Sequence, residues 1–167
     1  MVGKFENKII SKFRNIIFKL VPLQINSSAI AMINSDKAPE PVGPYPHARK
    51  VGNLLFLSGV GPRKKGSTEI PGVTLDANKN IIAYDIEVQC HAVFQNVRFI
   101  LEASGSRWED LVDVTVFLTN MKDDFKTFNK IYKEYFPDPS TQPCRTTVEV
   151  NALPTPIAIE LKCVATC

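Results

Sequence analysis

Between Asp85 and Leu118 the hydrophobic pattern changes period, and that change limits the folds open to this chain. Ile86, Cys90, Val93, Val97, Ile100 and Leu101 recur at helical spacing behind Asp85, a capping residue, and the pattern stops at Gly105. From Leu111 to Leu118 the period falls to two, with Val112, Val114 and Val116 alternating with Asp113 and Thr115. A second helix is expected from about Asp124 to Phe136, burying Phe125, Phe128, Ile131, Tyr132 and Tyr135 and ending at Pro137. Two strand-like runs precede these elements, His47 to Val51 and Leu54 to Val60, around the hairpin signal Gly52-Asn53. Two more follow, Pro143 to Val150 and Ile157 to Lys162. The order β-β-α-β-α-β-β predicts an α+β domain, a sheet with both helices packed on one face. The other sheet face is left bare, and a domain of this size is expected to bury it against other copies of itself.

The chain has 167 residues, 44% apolar and 22% charged, which suits one soluble globular domain with a real core. No apolar run approaches the ~20 residues of a membrane-spanning helix. The net charge of +3 is unevenly spread. Lys4, Lys8, Lys12, Arg14 and Lys19 against Glu6 give the first 33 residues +4, so the body carries −1. A body without a basic stripe argues against a general grip on nucleic acid. Cys90, Cys144, Cys163 and Cys167 form no C-x-x-C pair, and no zinc spacing is present, so no metal is expected. Buried free thiols in a reducing compartment are the ordinary reading. A Cys144 nucleophile beside Arg145 is the rival, but no motif ties His47 or His91 to it.

Residues 1–36 read as an extension ahead of a domain at 37–167. Phe5, Ile9, Phe13, Ile16, Ile17 and Leu20 lie at helical spacing, with basic residues opposite and Pro22 ending the run. This basic, acid-poor pattern before a Ser-bearing spacer fits an organelle transit peptide, although lysine outnumbers arginine. A membrane-surface helix and a disordered tail fit it as well. Start at Met1 predicts a mitochondrial protein and start at Met32 a cytoplasmic one; neither is secreted. Lys37 to Pro46 is too proline-rich for a helix, so it is an extended lead-in. Ser58-Gly59 interrupts a strand, as happens at a bulge or where a ligand approaches. Gly61 to Asn80 exceeds the usual loop length and reads as a flap or a site rim.

Arg145 and Glu160 are charges in otherwise β-favouring runs, and a charge in a strand interior is costly unless paired or used. A structural ion pair, a solvated sheet face and a catalytic site are all open to them.

Several stretches together resemble the reactive intermediate deaminases of the RidA/YjgF type. They are Gly43-Pro44-Tyr45, Leu55-Phe56-Leu57-Ser58-Gly59, Asp113 to Thr119, Phe128-Asn129-Lys130-Ile131-Tyr132, Arg145 to Val150, and Leu153-Pro154 with Glu160 beyond. Tyr45-Pro46-His47-Ala48-Arg49, Ser58 to Arg63, Ile70-Pro71-Gly72, Tyr84 to Cys90 and Leu153 to Lys162 look closer to the 2-aminomuconate deaminase branch. The resemblance implies a chorismate-mutase-like fold, a homotrimer with clefts between subunits, and cofactor-free hydrolysis of an enamine or imine to a 2-oxo acid and ammonia. It implies that Arg145 binds a substrate carboxylate and that Glu160 positions water and moves protons. It also implies that Tyr45, Ser58, Gly59 and Asn129 contact substrate. Thr147 stands where many members carry cysteine, so a hydroxyl replaces any thiol role there. Pro46-His47 replaces Ser-Gln, and Lys162 replaces an acid. A second substrate carboxylate would need a second cation: Arg63 is preferred, over His47 and Arg49. A general 2-iminobutanoate/2-iminopropanoate deaminase is the alternative within enzymes. A ribonuclease or translation-inhibiting RNA-binding protein is the alternative of another class, which the mildly acidic body disfavours.

Residues 1–35 fused to a fluorescent protein are expected to carry it to mitochondria. A diffuse signal throughout the cell would refute the transit-peptide reading.

Overall fold

The computed structural model describes residues 30–67 and 69–167. Six strands form the main sheet: β1 (Ile30–Ile33), β2 (Ala48–Val51), β3 (Leu54–Leu57), β6 (Leu111–Leu118), β7 (Cys144–Glu149) and β8 (Ile159–Thr166). Their order is β1-β2-β3-β8-β6-β7. Only β6 and β7 run parallel, and a parallel pair needs a crossover, which the helix α2 (Met121–Tyr135) supplies. The helix α1 (Ile86–Ala103) precedes a single 3₁₀ turn, Trp108–Asp110, that leads into β6. Both helices pack on one face of the sheet, as the strand–helix–strand order predicts.

The elements begin and end where local chemistry dictates. The Asp85 carboxylate accepts from the N–H groups of Glu87 (2.9 Å) and Val88 (3.2 Å), capping α1. Gly105 closes that helix at φ 72°, a left-handed conformation that suits glycine. Gly52 turns the β2–β3 hairpin at φ 63°. Helix α2 starts three residues before the sequence expectation because Asn120, not Asp124, caps it by accepting from Asp123 N–H. Asp124 is instead buried, accepting 2.8 Å from the Tyr84 hydroxyl, and burial raises its carboxyl above the ordinary range.

The core lies between helices and sheet. Leu55, Leu57, Val114, Val116, Leu118, Ile159, Leu161, Cys163 and Ala165 face it from the strands, and Val93, Phe94, Val97, Phe128 and Ile131 from the helices. Phe94 is fully buried in an aromatic cluster, 4.4 Å from the Tyr135 ring and edge-on to Trp108 at 5.8 Å. Phe125, expected in the core, is exposed instead. Cys90 and Cys163 are buried thiols pushed up to about 12 by that burial, whereas Cys144 is exposed on an edge strand. The opposite face alternates apolar Phe56, Phe117, Val148 and Val164 with Arg49, Lys162 and Asp113.

Two elements depart from the predicted order. Residues 30–33, read as part of the extension, form the edge strand β1, pairing Met32 with Arg49. The long loop contains β4 (Val73–Leu75), which pairs with β5 (Ile81–Tyr84). The turn between them uses Asp76, which accepts from Asn78 and Asn80 N–H, and Lys79 at φ 64°. The amphipathic pattern of residues 1–29 lies outside the described residues. Among those described, no helix is long and apolar enough to cross a membrane.

Candidate active site

The site begins where β3 leaves β8. Leu54 to Phe56 pair with Thr166 to Val164, and the chains meet again at Val60 and Leu161. Between these contacts Leu57-Ser58-Gly59 faces only Lys162 and Cys163, so β3 carries one extra residue, a bulge. Val60 and Leu161 restore the ladder with two bonds of 2.8 and 2.9 Å. Lys162 Nζ donates to the Leu57 carbonyl at 2.8 Å, which occupies an acceptor the bulge turns aside.

Glu160 lies over this bulge. A Cβ built on Gly59 would collide with Glu160 Oε1 and sit 2.9 Å from its Cδ, so only glycine leaves room for the carboxylate. The Glu160 carboxyl is half-buried, and desolvation raises its pKa; the nearby Arg63 guanidinium pulls the other way. The raised value is that of a group suited to accept and return a proton.

A cleft opens over Glu160, lined by Tyr45, Ser58, Gly59, Arg63 and Ile157 among others. Its outer wall is the proline-rich segment before β2. Buried His47 pins that wall: Nδ1 accepts from Ser35 N–H at 3.0 Å, and Nε2 donates to the Pro39 carbonyl at 2.9 Å. Ser58 Oγ donates to the Pro46 carbonyl at 2.6 Å, so its hydroxyl serves the wall. Gly43 lets the Tyr45 ring fold back, because a Cβ there would lie 2.9 Å from Tyr45 Cε1. Arg63 Nη2 donates to the Glu40 carbonyl, which ties the wall to the loop after the bulge.

Tyr45, Ser58, Gly59, Arg63 and Glu160 are therefore brought together. Arg145, Asn129 and Thr147 are not. Arg145 points to the helix face of β7, its guanidinium 4.5 Å from the Tyr132 ring centroid and 5.4 Å from that of Phe128. Glu160 alternates with buried Ile159 and Leu161 and so faces the other side of the sheet. The ion pair between Arg145 and Glu160 allowed by the sequence is absent, since the sheet lies between them. Asn129 is on α2 and Thr147 follows Arg145 by two residues, on the same face of β7. Thr147 Oγ1 is buried without a hydrogen-bond partner among the described residues. The residues singled out in the sequence thus lie in two places, a cleft with Glu160 and a helix-side patch with Arg145.

The family model described as Endoribonuclease L-PSP matches residues 35–167, a span that includes both Glu160 and Arg145. The chain belongs to the RidA/YjgF family. It is 38% identical over 146 residues to Reactive Intermediate Deaminase A, chloroplastic, of Arabidopsis thaliana, a match covering 86% of this chain and 71% of that relative. It is 37% identical to a RutC family protein of Pyrococcus abyssi, over 80% of this chain and 94% of the relative. Among solved structures, TdcF of E. coli with bound serine superposes with a TM-score of 0.70 at 30% identity, covering 82% of this chain and 98% of that one. The YjgF gene product of E. coli gives 0.69 at 31% identity, covering 81% and 98%.

Two residues that shape this RidA/YjgF cleft escaped sequence reasoning. Buried Asn96 donates from Nδ2 to the carbonyls of Gly61 and Arg63, each at 2.8 Å, and so fixes the loop that carries Arg63. Gln89, fully buried, accepts from Ala158 N–H at 2.8 Å and holds the approach to Glu160. The available signal was two amides on the apolar stripe of α1, where a polar group must have a partner.

Burial favours the neutral form of Glu160 in the folded state. The resulting destabilisation is absent well below the ordinary value of 4.5 and grows as pH rises through the raised folded value. Glu160→Gln is therefore expected to exceed wild type in stability at about pH 7, with the gap closing toward about pH 4. Urea denaturation at both pH values checks this, and an unchanging gap would contradict it.

Proposed function

We propose that this protein hydrolyses enamine or imine intermediates to 2-oxo acids and ammonia, at sites assembled from the two half-sites of adjacent subunits in a homotrimer. The observation that carries this reading is the half-buried, proton-favouring Glu160 held over Gly59 in an open cleft. In the reaction, Glu160 takes a proton from water as its oxygen bonds to the imine carbon and the C=N electron pair moves to nitrogen. The same carboxyl then returns the proton to that nitrogen. In the collapse the Glu160 carboxylate takes the hydroxyl proton of the tetrahedral carbinolamine and passes it to the nitrogen, the O–H electron pair forms the C=O bond of the 2-oxo acid, and the C–N bond breaks as ammonia leaves. An enamine enters this sequence after tautomerising to the imine. No cofactor takes part in any step.

Arg145 supplies the carboxylate fork, from a neighbouring subunit, because within one chain the sheet separates it from Glu160. Asn129 and Thr147 belong to its half-site. The unpartnered Thr147 hydroxyl and the exposed apolar residues of the bare sheet face support such an assembly.

For the substrate we favour 2-aminomuconate, a dicarboxylate, over small iminoacids. Of the three cations weighed for its second carboxylate, His47 has both ring nitrogens bonded, and Arg49 shares the sheet face of Glu160 but does not line the cleft. Arg63 lines the cleft beside Glu160. The family's description names an endoribonuclease, but acid–base cleavage of RNA would call on a free histidine. His47 is locked in the wall and His91 bonds the Tyr135 hydroxyl on the outer helix surface. The name of the chloroplastic relative supports an organelle-targeting role for the N-terminal residues.

Ammonia release from 2-aminomuconate, and from enzymatically generated 2-iminopropanoate, is expected from wild type and not from Glu160→Ala or Arg145→Ala. Mixing the two inactive variants after gentle dissociation is expected to restore about a quarter of the activity, from random pairing of intact half-sites. No recovery in mixed oligomers would overturn shared sites, and RNA cleavage without ammonia release would overturn the deaminase reading. Arg63→Ala is expected to raise KM for 2-aminomuconate by about tenfold or more and leave that for 2-iminopropanoate nearly unchanged. An equal rise for both would remove Arg63 from this role.

A further inference from the structure

Arg145 has an unusual setting for a cation expected to grip an anion. No carboxylate lies within ion-pair distance of it among the described residues. Its contacts are instead three aromatic rings of α2, with the guanidinium carbon 4.5 Å from the Tyr132 centroid, 5.4 Å from Phe128 and 6.0 Å from Phe125. A flexible arginine on an edge strand would otherwise sample many rotamers, and ordering it on binding costs affinity. A ring face attracts the cation without using its N–H groups, which stay free for a planar, two-bond grip on a carboxylate.

Tyr132 departs from what its position requires in one respect. Its hydroxyl is buried and has no hydrogen-bond partner among the described residues, and burial pushes it up to about 12. A buried, unpartnered hydroxyl is a cost, so the ring is the part that works. Tilted ring contacts with Phe128 at 5.6 Å and Phe136 at 4.5 Å fix the orientation of that ring.

We propose that Tyr132, flanked by Phe128 and Phe125, is a positioning residue that pre-orders the Arg145 guanidinium for a substrate carboxylate. This rests on the role given to Arg145 above. The cradle acts on binding rather than on bond-making, because Arg145 grips a group that does not change in the reaction.

The test uses the full chain and a stable probe, 2-oxobutanoate, titrated by calorimetry, alongside KM and kcat for ammonia release. Tyr132→Leu is expected to weaken probe binding and raise KM by about five- to tenfold, with kcat within about twofold. Tyr132→Phe, which keeps the ring, is expected to stay within about twofold of wild type on both measures. The Arg145 side-chain proton resonances are expected to be ring-shifted in wild type and Tyr132→Phe and to lose that shift in Tyr132→Leu. Should Tyr132→Leu not fold, Phe125→Leu, on an exposed ring, carries the same test with about a twofold loss. Unchanged affinity in the leucine variants, or equal loss in Tyr132→Phe, overturns the cradle while leaving Arg145 in place. Unchanged probe affinity in Arg145→Ala overturns both the cradle and the carboxylate grip.

Discussion

The close approach of Glu160 to Gly59 is the contact on which the site depends. A carboxylate is kept half-buried by a strand that has no side chain beneath it and one residue too many beside it. The extra residue turns the chain aside at Ser58 and Gly59, and the ladder resumes at Val60. That restored pair holds Leu161, and so the backbone of its neighbour Glu160, in one place. Stability is given up here, since a desolvated acid opposes folding at neutral pH. On the reading proposed above, what is gained is a proton acceptor whose position is set by backbone geometry rather than by a salt bridge that would silence it.

The sheet acts as a partition. Its helix face carries the core and, at the β7 edge, the stacked Arg145. Its other face carries Glu160. Glu160 is on β8 and Arg145 on β7, with β6 between them anchored by the buried Val114, Val116 and Leu118, so no local rearrangement brings the two together. On the reading proposed above, chemistry belongs to the assembly and folding to the single chain. The two tasks are then separable on β8, where Glu160 projects from the face opposite its core-packing neighbours Ile159 and Leu161.

Much of this was legible in the sequence because it rests on period. The stripes of α1 and the alternation of β6 fix helix and strand, and the crossover rule then places both helices together. Asp85 and Gly105 mark α1 correctly because capping is a short-range event. What was missed depends on partners far along the chain. Residues 30–33 are read with the extension ahead of the domain and become a strand because β2 offers a free edge. Asp124 reads as the start of α2, yet it lies inside the helix and Tyr84, forty residues earlier, claims its carboxylate. Sequence spacing suggests that Arg145 and Glu160 could meet, whereas the strand pleat sends them to opposite faces. His47 reads as a ligand candidate and is a bolt in the cleft wall. Asn96 and Gln89 could have been flagged as amides on an apolar stripe, but their acceptor and donor lie in loops that no periodicity describes.

Those two amides have a geometric consequence. Gln89 and Asn96 are seven residues apart, close to two helical turns, so both project from one side of α1 about 10 Å from each other. One braces the chain entering β8 and the other the loop after the bulge. Helix α1 is thus a ruler laid across the mouth of the cleft, and the width of the opening is quantised by helical pitch. Insertion of a single residue between them would swing one brace about 100° around the axis and let one jaw drift.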